Sequence, residues 1–503
     1  MGCQHVVFDL RSPFSFFLKS CSIIYFFLLQ CVYAAPVTSL EEVLQETLSR
    51  HPNVKARQFD LQAAQLGIKA AQGLFDLQLN GTIDLADDLV TIPNPLEMGA
   101  KTPIETQRYS GELQLVQPLR WGTQLAFGLR QSEIQTTNPF RNCVPGIISE
   151  QCFESTLTLS INQPLLRGRS AEVNRSEEQG ARFALEIVKH QFKIELIQQA
   201  QMIAQLYLQS TLAQAQIQLE ENHLKLIEQR LTEAKERLDL GLIASTELYP
   251  LTAAKAQRKQ SLLSAQGQYM EAKKELEILS TKVSIKTKFP KQLFNPLRLK
   301  ALLTSTLPSW QNLSRFLMTE NNAKQLEARR IVFQDAKKSQ LNMGMIWSQS
   351  GLGESFGSAL DALPERESRF YGITLTYQQA LSNRADHQSA QLEAQVRAKK
   401  EEQQALIQEL NLSWQRGIDR LKTKSELLVL AKEAQQATEK SARAAHERFK
   451  EGRTTLFEVL EMQNQSISAA TQTIVIEHDI AQEMLGLWGL NEELLSLIGI
   501  DLK

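Results

Sequence analysis

The sequence predicts a mainly α-helical chain with a separate set of alternating β-strands, the whole pattern written twice. Three observations carry that prediction. The tracks Ser170–Leu240 and Asn383–Glu451 contain no proline and keep a helical pattern far beyond the mean globular helix of about 11–12 residues. Short segments elsewhere alternate apolar with polar residues, as strands with two unlike faces do. Finally, "LDLGLIASTELYPL" (Leu238–Leu251) returns as "FKEGRTTLFEVLEM" (Phe449–Met462). Aligning Gly241 with Gly452 also matches Glu236 with Glu447, Arg237 with Arg448 and Glu247 with Glu458.

From the N-terminus, Arg11 and Lys19 precede "SCSIIYFFLLQCVYAA", an apolar core followed by small residues. That order describes a secretory leader, removed after Ala34. Lipoprotein cleavage ahead of Cys31 is the weaker reading, because Gln30 stands where a small residue is expected. No later segment reaches the roughly 18 uninterrupted apolar residues of a membrane helix. An exported chain of this kind is free in the periplasm, secreted, or a β-barrel. With 43% hydrophobic and 22% charged residues and a formal net charge of −1, neither wholesale disorder nor electrostatic capture of nucleic acid is expected.

Beyond the leader only Cys143 and Cys152 remain, bracketing a Pro-Gly turn in "RNCVPGIISEQCF". In an oxidising compartment they read as a loop-closing disulfide. Two thiolates with no histidine nearby are a poor metal site. The seven histidines form no His-Glu-x-x-His pair, and "GLGESFGS" (351–358) lacks the Gly-Lys-Ser/Thr end of a phosphate loop, so it reads as an exposed loop. No enzymatic activity, metal or cofactor is expected.

The first long track carries Leu224, Ile227, Leu231, Ala234 and Leu238, a coiled-coil seam. The second carries Ile418, Leu421, Ser425 and Leu428, then Ala442, Ala445 and Phe449. Shorter helices at Pro36–Gly73, Ser245–Lys286, Asn312–Ser339 and Thr455–Leu487 stack in pairs, each pair as long as one long track. Four parallel tracks result, with 287–311 and 488–503 as a belt at mid-height. Strand segments 74–86, 155–165, 341–348 and 369–381 lie at the end opposite the glycine tips. Two further candidates, 111–119 and 123–131, occur in the first half alone. They form either a hairpin outside the membrane or additional barrel strands.

Over the mature chain this organisation resembles the TolC-like outer-membrane efflux channel family. The resemblance lies in "LDLGLIASTEL" (238–248) and "EGRTTLFEVLE" (451–461) as its two hairpin tips. "INQPLLRGRSAEVN" (161–174) is similar to the segment leaving the barrel, and "NEELLSLIG" to the terminal belt helix. The family implies a homotrimer: a long α-helical barrel of coiled-coil hairpins joined to a shared transmembrane β-barrel, in the outer membrane of a Gram-negative bacterium and extending into the periplasm. Four spanning strands cannot close a barrel alone, since the smallest need about 8. The chain would divide into a leader (1–34), a first repeat (35–286) and a second repeat (287–503). Its expected function is the passive exit duct of a tripartite efflux pump or type I secretion system, opened by an inner-membrane pump with its periplasmic adaptor. A periplasmic coiled-coil adaptor or fibrous surface protein is the alternative.

At the tips, Gly241 and Gly452 permit a left-handed helix end, and Thr246 and Thr454 are expected to cap the returning helices. The resemblance implies that Glu458 and Glu461, with Glu247, line the periplasmic aperture, where carboxylate rings select cations. Phe449, Arg453 and Thr454 are its closure candidates. Adaptor docking is expected at Gly241, Leu242, Ser245 and Thr246 on one tip and Gly452, Arg453 and Thr455 on the other.

Overall fold

The computed structural model describes residues 40–93, 101–137, 142–144, 147–148, 151–279, 295–365 and 368–497; the expected leader lies outside them. In chain order come α1 (Leu40–Arg50), α2 (Pro52–Gln72), β1 (Gln78–Pro93), β2 (Lys101–Pro118) and β3 (Gln124–Thr136). Next are β4 (Asn142–Val144), β5 (Ile147–Ile148), β6 (Gln151–Pro164), α3 (Ala171–Asn174), α4 (Ser176–Asp239) and α5 (Leu248–Leu279). The second half has α6 (Pro296–Leu303), α7 (Ser314–Asp335), β7 (Gln340–Gly353), α8 (Phe356–Asp361) and β8 (Ser368–Gln378). It ends with α9 (Arg384–Lys450), α10 (Leu456–Leu490) and α11 (Leu494–Leu497). At about 1.5 Å per residue, α4 and α9 are each roughly 100 Å long.

Two expectations need correcting. The helix expected over Pro36–Gly73 is broken, because Pro52 holds His51 extended at φ −61°, ψ 127°. That break lets α1 turn into the mid-height core, where Val43, Leu44 and Leu48 meet Ile203, Ala204 and Leu485. The segment 351–358 is also more than a loop. It finishes β7, and Ser355 with Ser358 forms a capping box that starts α8. Gly351 lacks a side chain because a Cβ there would lie 2.7 Å from the Leu363 nitrogen.

The strands form one antiparallel sheet in the order β1-β2-β3-β6-β7-β8, with β4-β5 as a separate small hairpin. The candidates at 111–119 and 123–131 are thus inner strands of the main sheet. Adjacent residues point to opposite faces, and the two faces differ sharply. One row crosses all six strands as Leu79, Leu115, Phe127, Leu159, Trp347 and Tyr371. On the opposite face a row runs Thr82, Glu112, Arg130, Thr156, Ser350 and Ser368. The apolar face is uncovered in the single chain: Ile83 is 82% exposed and Ile373 78%. Near the loop end, α8 lies on that face, with Phe356 edge-on to Phe153 at 4.7 Å. Cys152 is buried beside Ile134 on the polar face and is disulfide-bonded. The side chain of Cys143, its expected partner, lies outside the described residues.

Below the sheet, α4 packs against α2, α5, α7 and α10, while α9 packs against α7 and α10. Both seams face inward, with Ile227, Ala234, Leu421 and Leu428 buried. At mid-height, α6 and Trp310 join Leu410, Trp414 and Ile418 of α9, and the two tryptophans meet edge to face at 6.1 Å. Glu492 ties this belt together. Its carboxylate accepts from the Ser314 backbone nitrogen at 2.7 Å and hydroxyl at 2.9 Å, and pairs with Lys193 at 2.7 Å.

Where the sheet meets the helices, Glu178 is buried and accepts from Arg182 at 2.7 Å and Gln72 at 3.2 Å. These hydrogen bonds, with the nearby Arg175 and Arg182 charges, outweigh burial and bring its pKa down to about 2. A lowered carboxylate pKa stabilises the fold fully above the unfolded value of 4.5, and the benefit is lost as pH falls through the folded value. Glu178→Gln should therefore melt below the parent at pH 7. The gap in Tm should close between about pH 4.5 and pH 2; a gap independent of pH would contradict this. Thiol labelling of the denatured, unreduced chain should find neither Cys143 nor Cys152 free.

Candidate pore mouth

The two tips end their long helices by the same device. At the end of α4 the Gly241 nitrogen donates to the Leu238 carbonyl at 2.9 Å and the Leu242 nitrogen to Arg237 at 2.8 Å. At the end of α9, Gly452 donates to Phe449 at 3.0 Å and Arg453 to Arg448 at 2.8 Å. Both glycines have φ +72°, so each helix closes with a Schellman turn. Neither would gain a steric clash from a Cβ. Their requirement is conformational.

The returns differ. Ser245–Glu247 forms a 3-10 turn ahead of α5, and Thr246 caps nothing. In the second tip the cap is Thr455, whose hydroxyl accepts from the Glu458 nitrogen at 3.3 Å. Thr454, the expected cap, instead donates its hydroxyl to the Glu458 carboxylate. Arg448 completes that contact at 3.1 Å. Glu458 is thus held within its own tip. Glu461, one turn further along the same face, is exposed and accepts from Gln465 at 3.0 Å. Arg453 pairs with Glu451 at 3.3 Å, and both are exposed. Glu247 makes no side-chain hydrogen bond or ion pair among the described residues. Leu242, Ser245 and Thr455 are exposed.

What joins the two hairpins was not legible beforehand. The Arg237 guanidinium lies 4.7 Å from the Phe449 ring centroid. It donates to the Phe449 carbonyl at 3.0 Å and the Lys450 carbonyl at 2.9 Å. The Phe449 carbonyl thus accepts from both Gly452 and Arg237, and a cation at a helix C-terminus also favours the dipole. Beneath this contact, Ala234, Leu251, Ala445, Phe449, Leu456 and Val459 form one core drawn from all four tip helices. Phe449 thus acts through its ring and carbonyl. The repeat matched Arg237 to Arg448, yet the two bind different partners; only their helix-end position hinted at a role.

Above the tips a cavity of about 510 Å³ opens between α4, α9 and α10. His223 Nε2, Arg230 Nε, His446 Nδ1 and both amide atoms of Gln463 are buried there without protein partners. Burial, with Arg258 nearby, pushes His223 down to about 4. Polar seams of this kind hold helices less firmly than an apolar core.

The fold is that of the TolC-like outer-membrane channels. The chain matches the outer membrane protein VceC of Vibrio cholerae with a TM-score of 0.63 at 13% identity, over 90% of this chain and 96% of that one. It matches the CmeC outer membrane channel of Campylobacter jejuni at 0.62 and 12%, over 90% and 85% of the two chains. For the open state of the MtrE outer membrane channel of Neisseria gonorrhoeae the values are 0.62, 12%, 90% and 88%. No family model and no curated protein matches the sequence.

Arg237→Ala should loosen the tips by about 1–2 kcal/mol, from two charge-assisted hydrogen bonds and a cation–ring contact. Amide exchange across 448–460 should quicken, and an unchanged rate would show the contact to be incidental. Gly241→Val and Gly452→Val should each cost roughly 1 kcal/mol or more for backbone conformation alone. Gly→Asn, which tolerates the left-handed region, should cost less by the same exchange measurement.

Proposed function

We propose that this chain is one copy of a trimeric outer-membrane duct that crosses the periplasm and serves as the passive exit of a tripartite efflux pump or type I secretion system. One observation carries the reading: a sheet with an uncovered apolar face and two free edges stands on helices roughly 100 Å long. Lipid is the occupant that suits such a face, and a polar opposite face suits a water-filled lumen. Three copies is the number the family resemblance supplies. A periplasmic adaptor or fibrous surface protein leaves the exposed Leu79, Ile83, Tyr371 and Ile373 without a purpose. On this reading the leader is 1–34 and the repeats are 35–286 and 287–503.

The tips are then the periplasmic mouth. Glu458 and Glu461 form stacked carboxylate rings, with Glu247 of the other tip beside them. An inner-membrane pump acts through an adaptor docked at Gly241, Leu242, Ser245 and Thr246 and at Gly452, Arg453 and Thr455. The Arg237–Phe449 contact keeps the two hairpins of one copy together, so opening separates copies or bends hairpins within the polar seam.

In planar bilayers the channel should prefer cations, and multivalent cations on the periplasmic side should block it. The double variant Glu458→Ala, Glu461→Ala should weaken both properties while leaving trimer assembly intact. Unaltered selectivity and block in assembled variant channels would reduce these two glutamates to capping and surface charges. A chain that forms no channel at all would refute the duct.

A further inference from the structure

We infer that the membrane exit is an unusually wide duct, in which β2 and β3 are wall strands and each copy contributes six strands; this rests on the channel reading above. The second half of the chain has no counterpart of β2 and β3, and an appended hairpin could in principle sit clear of the bilayer. Three observations put it in the wall. The row Leu79, Leu115, Phe127, Leu159, Trp347 and Tyr371 keeps one apolar face from β1 through β8, and on the same face Leu113 and Leu129 lie side by side between Gly81 and Leu157. A hairpin in water would have no reason to continue that face.

The turn joining the two strands is also built into the base of the sheet. Gly122 has φ +87° and sits so close to the Gly168 carbonyl oxygen that a Cβ would collide with it. Beside it the Thr123 hydroxyl donates to the Gln163 side chain of β6. The Gly168 nitrogen in turn donates to Asp335 of α7 at 2.6 Å. The hairpin is therefore anchored where barrel and helices join.

The strand count then fits closure. With six antiparallel strands the two edges, β1 and β8, run in opposite directions. The β8 of one copy can therefore pair antiparallel with the β1 of the next, and identical contacts close a ring. Three copies of the six-stranded sheet close with eighteen strands, a number that leaves an aqueous channel rather than an interior filled by side chains. The added strands also bring Arg108, Glu112 and Arg130 to the polar face beside Asp84 and Glu154, while the polar faces of β7 and β8 carry no charged residue. They enlarge the exit and add three charged residues, Arg108, Glu112 and Arg130, to its polar face.

The test compares the full chain with a variant lacking 101–136, in which β1 runs into β6 and the up-down order is kept. Both are imaged in lipid nanodiscs. Barrel diameter grows roughly linearly with strand number, so the deletion should narrow the barrel by about one third. Single cysteines in the full chain give an independent reading. Leu113→Cys and Phe127→Cys should react with a lipid-partitioning thiol reagent and resist a water-soluble one; Gln114→Cys and Ala126→Cys should do the reverse. If the deletion variant does not assemble, the cysteine pattern decides. An unchanged barrel width, or water-soluble labelling at Leu113→Cys and Phe127→Cys, overturns the six-stranded wall and leaves a channel standing. A full chain that forms no barrel in nanodiscs overturns the channel reading together with this inference.

Discussion

An uncovered sheet edge cannot persist in hydrocarbon, because each unpaired backbone group there costs several kcal/mol. The rest of the molecule follows from that constraint. The sheet presents an apolar face across six strands with β1 and β8 at its edges, so on the proposed reading a single copy is unfinished. Closing the sheet with further copies fixes the position of everything hung beneath it. On the proposed reading the helices would inherit the same symmetry, while their seams at Ile227 and Leu421 are already buried within the one chain.

Length brings a second demand. Helices of roughly 100 Å need bracing at points far apart, and three are visible. Glu178 joins the helices α2 and α4 at the base of the sheet. Glu492 and the Trp310–Trp414 pair knit the middle. Arg237 staples the far ends through the Phe449 ring and carbonyl. Between the last two lies the seam of His223, His446 and Gln463, whose buried polar atoms lack hydrogen-bond partners among the described residues. On the proposed reading, movement at the mouth would occur below the belt and leave the sheet undisturbed.

Much of this was legible in the sequence because its signals are local and periodic. The seam spacing, the alternation of Leu157, Leu159 and Ile161, and the two glycines at positive φ each depend on near neighbours along the chain. The misjudged details depend on partners far away or on competition between neighbours. Thr455 and not Thr454 caps α10 because the chain turns one residue later than expected, which frees Thr454 to bind Glu458. Arg237 finds Phe449 across 212 residues. The hairpin β2–β3 alternates as any half-buried strand does, and only its register against β1 and β6 assigns it to the main sheet.

The central claim is that the sheet lies in a membrane. Fractionation of cells making the full chain, followed by electrophoresis with and without heating, tests it most directly. The account predicts recovery with the outer membrane, release by detergent alone, and a band whose mobility changes on heating as the closed sheet unfolds. Full solubility without detergent, with no heat-dependent shift, would contradict it.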